Sequence, residues 1–114
     1  MAVIEQHNFG VTEELIQEIT ARLVREWHPH KIILFGSFAK GKPKEFSDLD
    51  FMVIMDSEIA RPDERAMQME REFEDLDCPI DFFVYAPDEV AISLEKRNPF
   101  VRDILQKGRV LYAG

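Results

Sequence analysis

Residues 31–55 read KIILFGSFAKGKPKEFSDLDFMVIM, and this stretch decides the fold. It contains two short apolar runs rich in β-branched and aromatic residues, KIILF at 31–35 and DLDFMVIM at 48–55, which predict buried strands. Gly36 ends the first run, and the polar segment GKPKEFS at 41–47 predicts a loop. The stretch therefore predicts two strands joined by a turn and a loop that carries glycine, serine and lysine.

Helical and strand patterns continue on both sides of this stretch. The sequence predicts a helix before this stretch, which starts after Thr12 and ends at His28-Pro29. After the stretch it predicts a charged helix from Pro62 to about Leu76, a strand PIDFFVY at 79–85 and a helix from Pro87. A last helix begins after Asn98-Pro99 and is capped by Gly108, and a strand RVLY follows at 109–112. The positions predicted to face inward are Leu15, Ile19, Leu23, Trp27, Met67, Phe73, Phe100, Ile104 and Leu105. This order predicts an α/β (α+β) fold, a small mixed sheet of about four strands with helices packed on it.

The composition is that of a soluble globular protein, with 46% apolar and 32% charged residues in 114. We expect one domain, residues 1–114, around one modest core. The sequence has no run of about 18 apolar residues, and residues 1–10 lack a basic start followed by an apolar stretch. It therefore predicts neither a membrane span nor a secretory signal. The single cysteine, Cys78, has no partner for an internal disulfide, and we expect a cytoplasmic protein.

The formal net charge is -8. Nonspecific binding to nucleic acid draws its affinity from Lys and Arg on phosphates, so this charge argues against direct nucleic-acid binding. A local basic spot still suffices for a nucleoside triphosphate.

Carboxylates interrupt two of the predicted strands. Asp48 and Asp50 enter the second strand, where residues i and i+2 share one face and lie about 7 Å apart at the backbone. Asp81 lies between Ile80 and Phe82, and a charge inside an apolar strand is costly unless it is compensated. If the two strands are neighbours, three carboxylates surround one site. The alternative for Asp48 and Asp50 is a turn with solvent-exposed carboxylates.

Three clustered carboxylates repel one another and raise one another's pKa. A divalent cation removes this repulsion, and all-oxygen ligands suit Mg²⁺ or Mn²⁺. In nucleotidyl transfer, two such ions clamp the attacking and leaving oxygens. Asp48, Asp50 and Asp81 are therefore the candidate metal ligands.

Gly36 and Ser37 follow the first strand directly. Glycine lets the backbone turn with positive φ, and N–H groups at the start of a helical turn bind phosphate. The alternative is that Ser37 only caps a short helix. Gly36, Gly41 and Lys42 also fit part of a P-loop, but Pro43 replaces the hydroxyl that such a loop needs on Mg²⁺.

The segment ILFGSFAKGKPKEFSDLDFMVI at 33–54, followed by PIDFFVY at 79–85, resembles the minimal nucleotidyltransferase (MNT) family. This family belongs to the DNA polymerase beta-like nucleotidyltransferase superfamily. The motif is Gly-Ser, ten residues, Asp-x-Asp and a later strand aspartate, in that order. The resemblance runs from about the first helix to the closing GRVLY and implies a nucleotidyltransferase fold. A typical member has arginine where this chain has Lys40.

The resemblance also implies a mechanism. Asp48 and Asp50 bind two Mg²⁺ ions, while Asp81 ligates one of them and helps to deprotonate the attacking hydroxyl. Gly36 and Ser37 hold the β- and γ-phosphates of ATP. Attack at the α-phosphorus then transfers AMP and releases pyrophosphate.

Stand-alone MNT proteins of this size resemble the antitoxin half of HEPN/MNT toxin–antitoxin pairs. By that resemblance, the acceptor is a tyrosine hydroxyl of a HEPN ribonuclease toxin, which AMPylation silences, and we expect a homo- or hetero-oligomer. Two alternatives stay open: a nucleotidyltransferase for small molecules such as aminoglycosides, and a noncatalytic antitoxin that blocks its partner by contact. The three clustered acids argue against the second alternative.

Overall fold

The structure is a computed structural model that describes residues 11–37, 39 and 48–114. Its elements are α1 (Glu13–Trp27), β1 (Lys31–Phe35), β2 (Leu49–Ile54), α2 (Pro62–Arg71), β3 (Ile80–Tyr85), α3 (Pro87–Glu95), α4 (Pro99–Lys107) and β4 (Arg109–Ala113). This is the predicted order of helices and strands. The predicted loop at 41–47 and Lys40 lie outside the described residues, as does most of the P-loop alternative.

The four strands form one mixed sheet in the order β3-β2-β1-β4. β1 pairs antiparallel with β2 and with β4, whereas β2 and β3 are parallel. The parallel pair needs a crossover connection, which α2 provides. The predicted small mixed sheet with helices packed on it is therefore confirmed, and the starts of β2 and β3 lie at the same end of the sheet.

Helix α1 shows why the sequence forms these elements where it does. The Thr12 hydroxyl accepts a hydrogen bond from the Leu15 N–H at 3.1 Å, which is an N-cap. At the other end His28 takes a left-handed conformation, with φ of 49°, ahead of Pro29. The buried residues are Ile16, Ile19 and Leu23, whereas the predicted Leu15 and Trp27 are only partly buried. A strict spacing of four residues drifts around a helix of 3.6 residues per turn, so spacings of three and four together keep one buried face.

Both faces of the sheet are covered. Alternate strand residues point to opposite faces, so Leu49, Phe51 and Val53 of β2 pack in the cluster that contains the buried residues of α1 and α2. Met52 and Ile54 pack on the other side with Val90 of α3 and with Val101 and Ile104 of α4. A strand buried on both faces reads as a continuous apolar run, which is why β2 shows no alternation of polar residues.

Two side chains predicted to face inward are largely exposed, and one helix is shorter than predicted. Met67 is 50% exposed, because α2 turns Arg65 and Met69 inward instead. Phe100 is 42% exposed, while Ile104 of the same helix is buried. α2 ends at Arg71 rather than near Leu76, and backbone bonds of the tighter i→i−3 kind follow it. Phe73 is buried as predicted, although it lies beyond the end of the helix.

Gly108 caps α4 as predicted, with its N–H donating to the Ile104 carbonyl at 2.8 Å. Its backbone is extended rather than left-handed, with φ of -71°. A Cβ at this position would collide with the Ile33 side chain and the Ile104 carbonyl. Glycine is needed here because the turn into β4 passes close over β1.

An ion pair between a buried arginine and a partly buried glutamate joins α2 to α3. The Arg65 side chain is 6% exposed, and its guanidinium donates to the Glu89 carboxylate at 2.6 Å. It also donates to the carbonyls of Ile59, Ala60 and Val84. The Glu89 carboxylate accepts a further bond from the Ala86 N–H at the start of α3, and the pKa of Glu89 is lowered chiefly by its hydrogen bond with Arg65.

Among the described helices, none is long and apolar enough to cross a membrane.

We expect Glu89→Ala to lower the free energy of unfolding by about 3 kcal/mol, because it leaves the buried Arg65 guanidinium without a counter-charge. Urea unfolding at pH 7 measures the change. Glu95→Ala is the matched control, since Glu95 is an exposed glutamate of the same helix, and we expect a change within about 0.5 kcal/mol. Equal effects of the two substitutions would show that the ion pair does not stabilise the fold.

Candidate functional site

The three predicted carboxylates lie at one end of the sheet, where β2 and β3 begin. The parallel register sets Asp50 directly beside Asp81. Asp48 is exposed and immediately precedes β2, and the Leu49 N–H that follows it donates to the Pro79 carbonyl ahead of β3 at 3.0 Å. The predicted condition that the two strands are neighbours is thus met.

The pKa shifts show that these carboxyls interact. The pKa of Asp50 is raised to about 6 by burial, with further contributions from the charges of Asp81 and Asp48. The pKa of Asp81 is raised first by burial, then by its hydrogen bond with Asp48 and the charges of Asp48 and Glu70. Like charges held together in a partly buried place resist ionisation, which is the electrostatic situation that a cation relieves.

Gly36 lies against Asp50. It has a φ of 81°, a left-handed conformation that favours glycine. A Cβ at Gly36 would come within 2.5 Å of an Asp50 carboxylate oxygen. Ser37 follows in a turn and is partly buried. Gly36 therefore adjoins the Asp50 carboxylate, and Ser37 is the next residue in the chain.

The carboxylates fit a divalent cation by their chemistry, since they are hard oxygen donors, and burial and neighbouring acids raise the pKa values of Asp50 and Asp81. Among the described residues, no three His, Cys, Asp or Glu side chains are arranged as a ready set of metal ligands. Asp48, Asp50 and Asp81 are nevertheless close enough for their charges to act on one another. They are the residues of the described chain that would hold a cation beside Gly36.

An aromatic cluster that the sequence did not predict borders the carboxylates. The rings of Phe35, Phe83 and Phe100 lie 5.4 to 5.7 Å apart between centroids. Phe35 is the cross-strand partner of Asp50, and Phe83 follows Asp81 by two residues on the same face of β3. The rings come from β1, β3 and α4, so no local sequence pattern connects them.

Two further side chains lie near Gly36. Lys107 and Asp103 of α4 line a cavity of about 100 Å³ together with Phe35, Gly36 and Ala39. A larger groove of about 490 Å³ lies between α1 and β4 and contains none of the candidate residues. We regard the smaller cavity as part of the candidate site because Gly36 and Phe35 adjoin Asp50.

The family is established by sequence. Residues 17–114 match the family model described as Polymerase beta, Nucleotidyltransferase, so the chain belongs to this family of nucleotidyltransferases. No curated protein matches the chain.

Solved structures with the same fold come from toxin–antitoxin systems. The crystal structure of a toxin–antitoxin with AMP-PNP superposes with a TM-score of 0.59 at 19% identity, covering 86% of this chain and 73% of the other. The structure of a mutant toxin–antitoxin MntA-HpeT gives a TM-score of 0.56 at 17% identity, covering 91% and 74%. These similarities confirm the predicted nucleotidyltransferase fold.

We expect Asp50→Asn to stabilise the metal-free protein at pH 8 by about 1–2 kcal/mol, allowing for the solvent screening of a half-buried carboxyl. The pKa of Asp50 is raised to about 6 from an ordinary value of 3.8, so the folded state binds this proton more tightly than the unfolded state. The contribution of this bound proton to the free energy of unfolding is fully present below about pH 4 and is lost as the pH rises through about 6.

Urea unfolding in EDTA at pH 4 and pH 8 measures this difference. Asp56→Asn is the control, because Asp56 is an exposed aspartate just beyond the other end of β2. We expect the stabilisation by Asp50→Asn at pH 8 only and no comparable effect of the control. A gain of equal size at both pH values would contradict the electrostatic explanation.

Proposed function

We propose that the chain is a Mg²⁺-dependent nucleotidyltransferase that transfers AMP from ATP to a hydroxyl of a protein partner. The acceptor that we propose is a tyrosine of a HEPN toxin, which makes the chain an antitoxin acting by protein AMPylation. The observation that carries the proposal is the register of β2 and β3, which sets Asp50 beside Asp81 and against Gly36. Family membership supports the reaction class.

Asp48, Asp50 and Asp81 are the residues that would hold the metal. When bound, Mg²⁺ supplies positive charge that neutralises the phosphates and orients them for an in-line displacement. The carboxylates repel a free triphosphate, so we expect nucleotide to bind together with the metal. Gly36 and Ser37 are placed to offer backbone N–H groups and a hydroxyl to the phosphates.

Asp81 is the proposed general base. In the transfer, the acceptor hydroxyl gives its proton to an Asp81 carboxylate oxygen while its oxygen forms a bond to the α-phosphorus. The bond between the α-phosphorus and the bridging oxygen breaks, and pyrophosphate leaves with that electron pair. Burial and the neighbouring carboxyls raise the pKa of Asp81, and a carboxylate with a raised pKa is a better proton acceptor.

A protein acceptor is supported by the kind of proteins that share the fold. The similar solved structures are toxin–antitoxin proteins, one of them with AMP-PNP. Asp48 lies exposed at the end of the sheet, so an acceptor side chain approaching from solvent can reach the carboxylates. We propose that the partner supplies the second wall of the site in a hetero-oligomer.

The test is transfer of label from α-labelled ATP in the presence of Mg²⁺ and the partner toxin. We expect label on the toxin with the wild-type chain and a loss of at least about 10²-fold with Asp48→Ala/Asp50→Ala, because charge neutralisation at the phosphates is a dominant catalytic effect. Asp56→Ala/Glu58→Ala is the matched control, since it removes two exposed acids beyond the other end of β2.

Replacing the toxin's tyrosines one at a time by phenylalanine would locate the acceptor. Label on a small molecule instead of the toxin would show that the acceptor is a small molecule and not a protein. Neutralisation of the toxin without label, unchanged by the double substitution at 48 and 50, would show that the chain acts by contact and would refute the proposed transfer.

Metal binding has its own prediction. We expect Mg²⁺ at millimolar concentration to raise the unfolding temperature of the wild-type chain relative to EDTA, because a ligand that binds only the folded state stabilises it. Asp50→Asn should abolish the rise, and Asp56→Asn should leave it intact. A rise of equal size in all three proteins would place the ion elsewhere.

A further inference from the structure

One edge of α4 faces the carboxylate end of the sheet. Phe100, Asp103 and Lys107 are spaced by three and four residues, so they lie along one side of the helix. Phe100 touches the aromatic rings beside Asp81, and Asp103 and Lys107 line the cavity at Gly36. Helical spacing places Arg102 on the opposite, exposed side.

The Phe100 end of this edge is an aromatic surface open to solvent. Its ring packs edge-on against Phe35 and tilted against Phe83, at 5.7 and 5.5 Å between centroids. The residue nevertheless remains 42% exposed. Packing on two rings fixes the orientation of the Phe100 ring, so its exposed part is a rigid apolar surface beside the carboxylates.

The Lys107 end carries a positive charge beside the glycine turn. Lys107 pairs with Asp103 at 3.1 Å, and both side chains are mostly exposed. The cavity that they share with Gly36 is small, with a volume of about 100 Å³. This space suits a phosphate group rather than a nucleoside. An exposed i,i+4 ion pair contributes only about 0.3–0.5 kcal/mol, so Lys107 is readily released from Asp103.

We propose that this edge of α4 binds the two ends of the nucleotide: Phe100 contacts the purine base, and Lys107 binds the terminal phosphates. The inference rests on the proposed function and adds the residues that recognise its substrate. Phe100 and Lys107 are seven residues apart, about 10.5 Å along the helix axis, so the two contacts reach separate parts of one nucleotide. Asp50 adjoins both contacts, because it lies against Gly36 at the Lys107 end and its cross-strand partner Phe35 packs on Phe100.

Charge and shape favour the orientation with the base at Phe100 and the phosphates at Lys107 over the opposite orientation. A triphosphate placed at Phe100 would gain only an apolar ring and would lie near the Asp81 carboxylate, since Phe100 packs on Phe83 and Asp81 precedes Phe83 by two residues on the same face of β3. Placed at Gly36, it gains the Lys107 ammonium, which offsets the adjacent Asp103. A purine at Phe100 covers an apolar surface and stacks on a ring, an interaction of about 1–3 kcal/mol per base.

The test is equilibrium binding of ATP and of AMP, each with Mg²⁺, to the full chain and four variants. We expect Lys107→Ala to weaken ATP binding about tenfold and to leave AMP binding unchanged, because AMP lacks the terminal phosphates. Phe100→Leu keeps the apolar bulk without the aromatic face and should weaken both nucleotides by a similar factor, about tenfold. Arg102→Ala is the control and should change neither affinity.

Asp103→Asn separates nucleotide binding from helix stability. If Lys107 binds phosphate, this variant keeps or strengthens ATP binding because a competing charge is gone. If the ion pair serves only the helix, Lys107→Ala and Asp103→Asn shift the unfolding temperature alike and change no affinity, which would overturn the inference. Equal loss of ATP and AMP affinity in Lys107→Ala would also overturn it.

The outcomes separate the inference from the proposed function. Wild-type binding of ATP with the expected pattern but without transfer of label would refute the transfer and keep the inference. Transfer of label with unchanged affinities in Phe100→Leu and Lys107→Ala would refute the inference alone. If the wild-type chain binds no ATP, with or without its partner, both are wrong.

Discussion

The parallel pairing of β2 with β3 is the constraint on which the rest of the site depends. Its register places Asp50 beside Asp81, and burial together with neighbouring acids raises the pKa of both carboxyls. Such an arrangement is unfavourable by itself, and it persists because the rest of both strands is held by a well-packed core. Phe51, Met52 and Val53 of β2 are fully buried, so the strand cannot slip by one residue without turning its apolar side chains over. Packing therefore fixes the positions of the charges.

The helices leave one end of the sheet open. α1 and α2 cover one face, α3 and α4 cover the other, and the row that contains Asp50 and Asp81 lies where this cover ends. The aromatic rings of Phe35, Phe83 and Phe100 lie between this row and the core. Burial is the largest cause of the raised pKa of Asp50. Gly36 allows the backbone to approach the same carboxylate because it has no side chain.

The charged groups near the two ends of β3 differ in whether the protein itself compensates their charge. Near its last residues, the buried Arg65 has a carboxylate and three carbonyl partners, one of them Val84 of β3, so its charge is compensated. At its start, Asp81 has only other acids among the groups that shift its pKa. A group compensated within the protein holds the fold together, whereas one compensated by a metal or substrate makes binding favourable. The difference between the two ends distinguishes the stabilising pair from the candidate site.

The sequence by itself determined the order of the elements, the presence of a mixed sheet and the residues of the candidate site. These follow from local chemistry: strand-forming runs, Gly and Pro at the boundaries, and aspartates inside apolar segments. It did not determine the burial of Arg65, the exposure of Met67 and Phe100, the early end of α2, or the position of Lys107 beside Gly36. Each of these depends on which elements pack together across long distances in the chain. An amphipathic pattern shows that a helix has two sides, but only the tertiary structure decides what each side contacts.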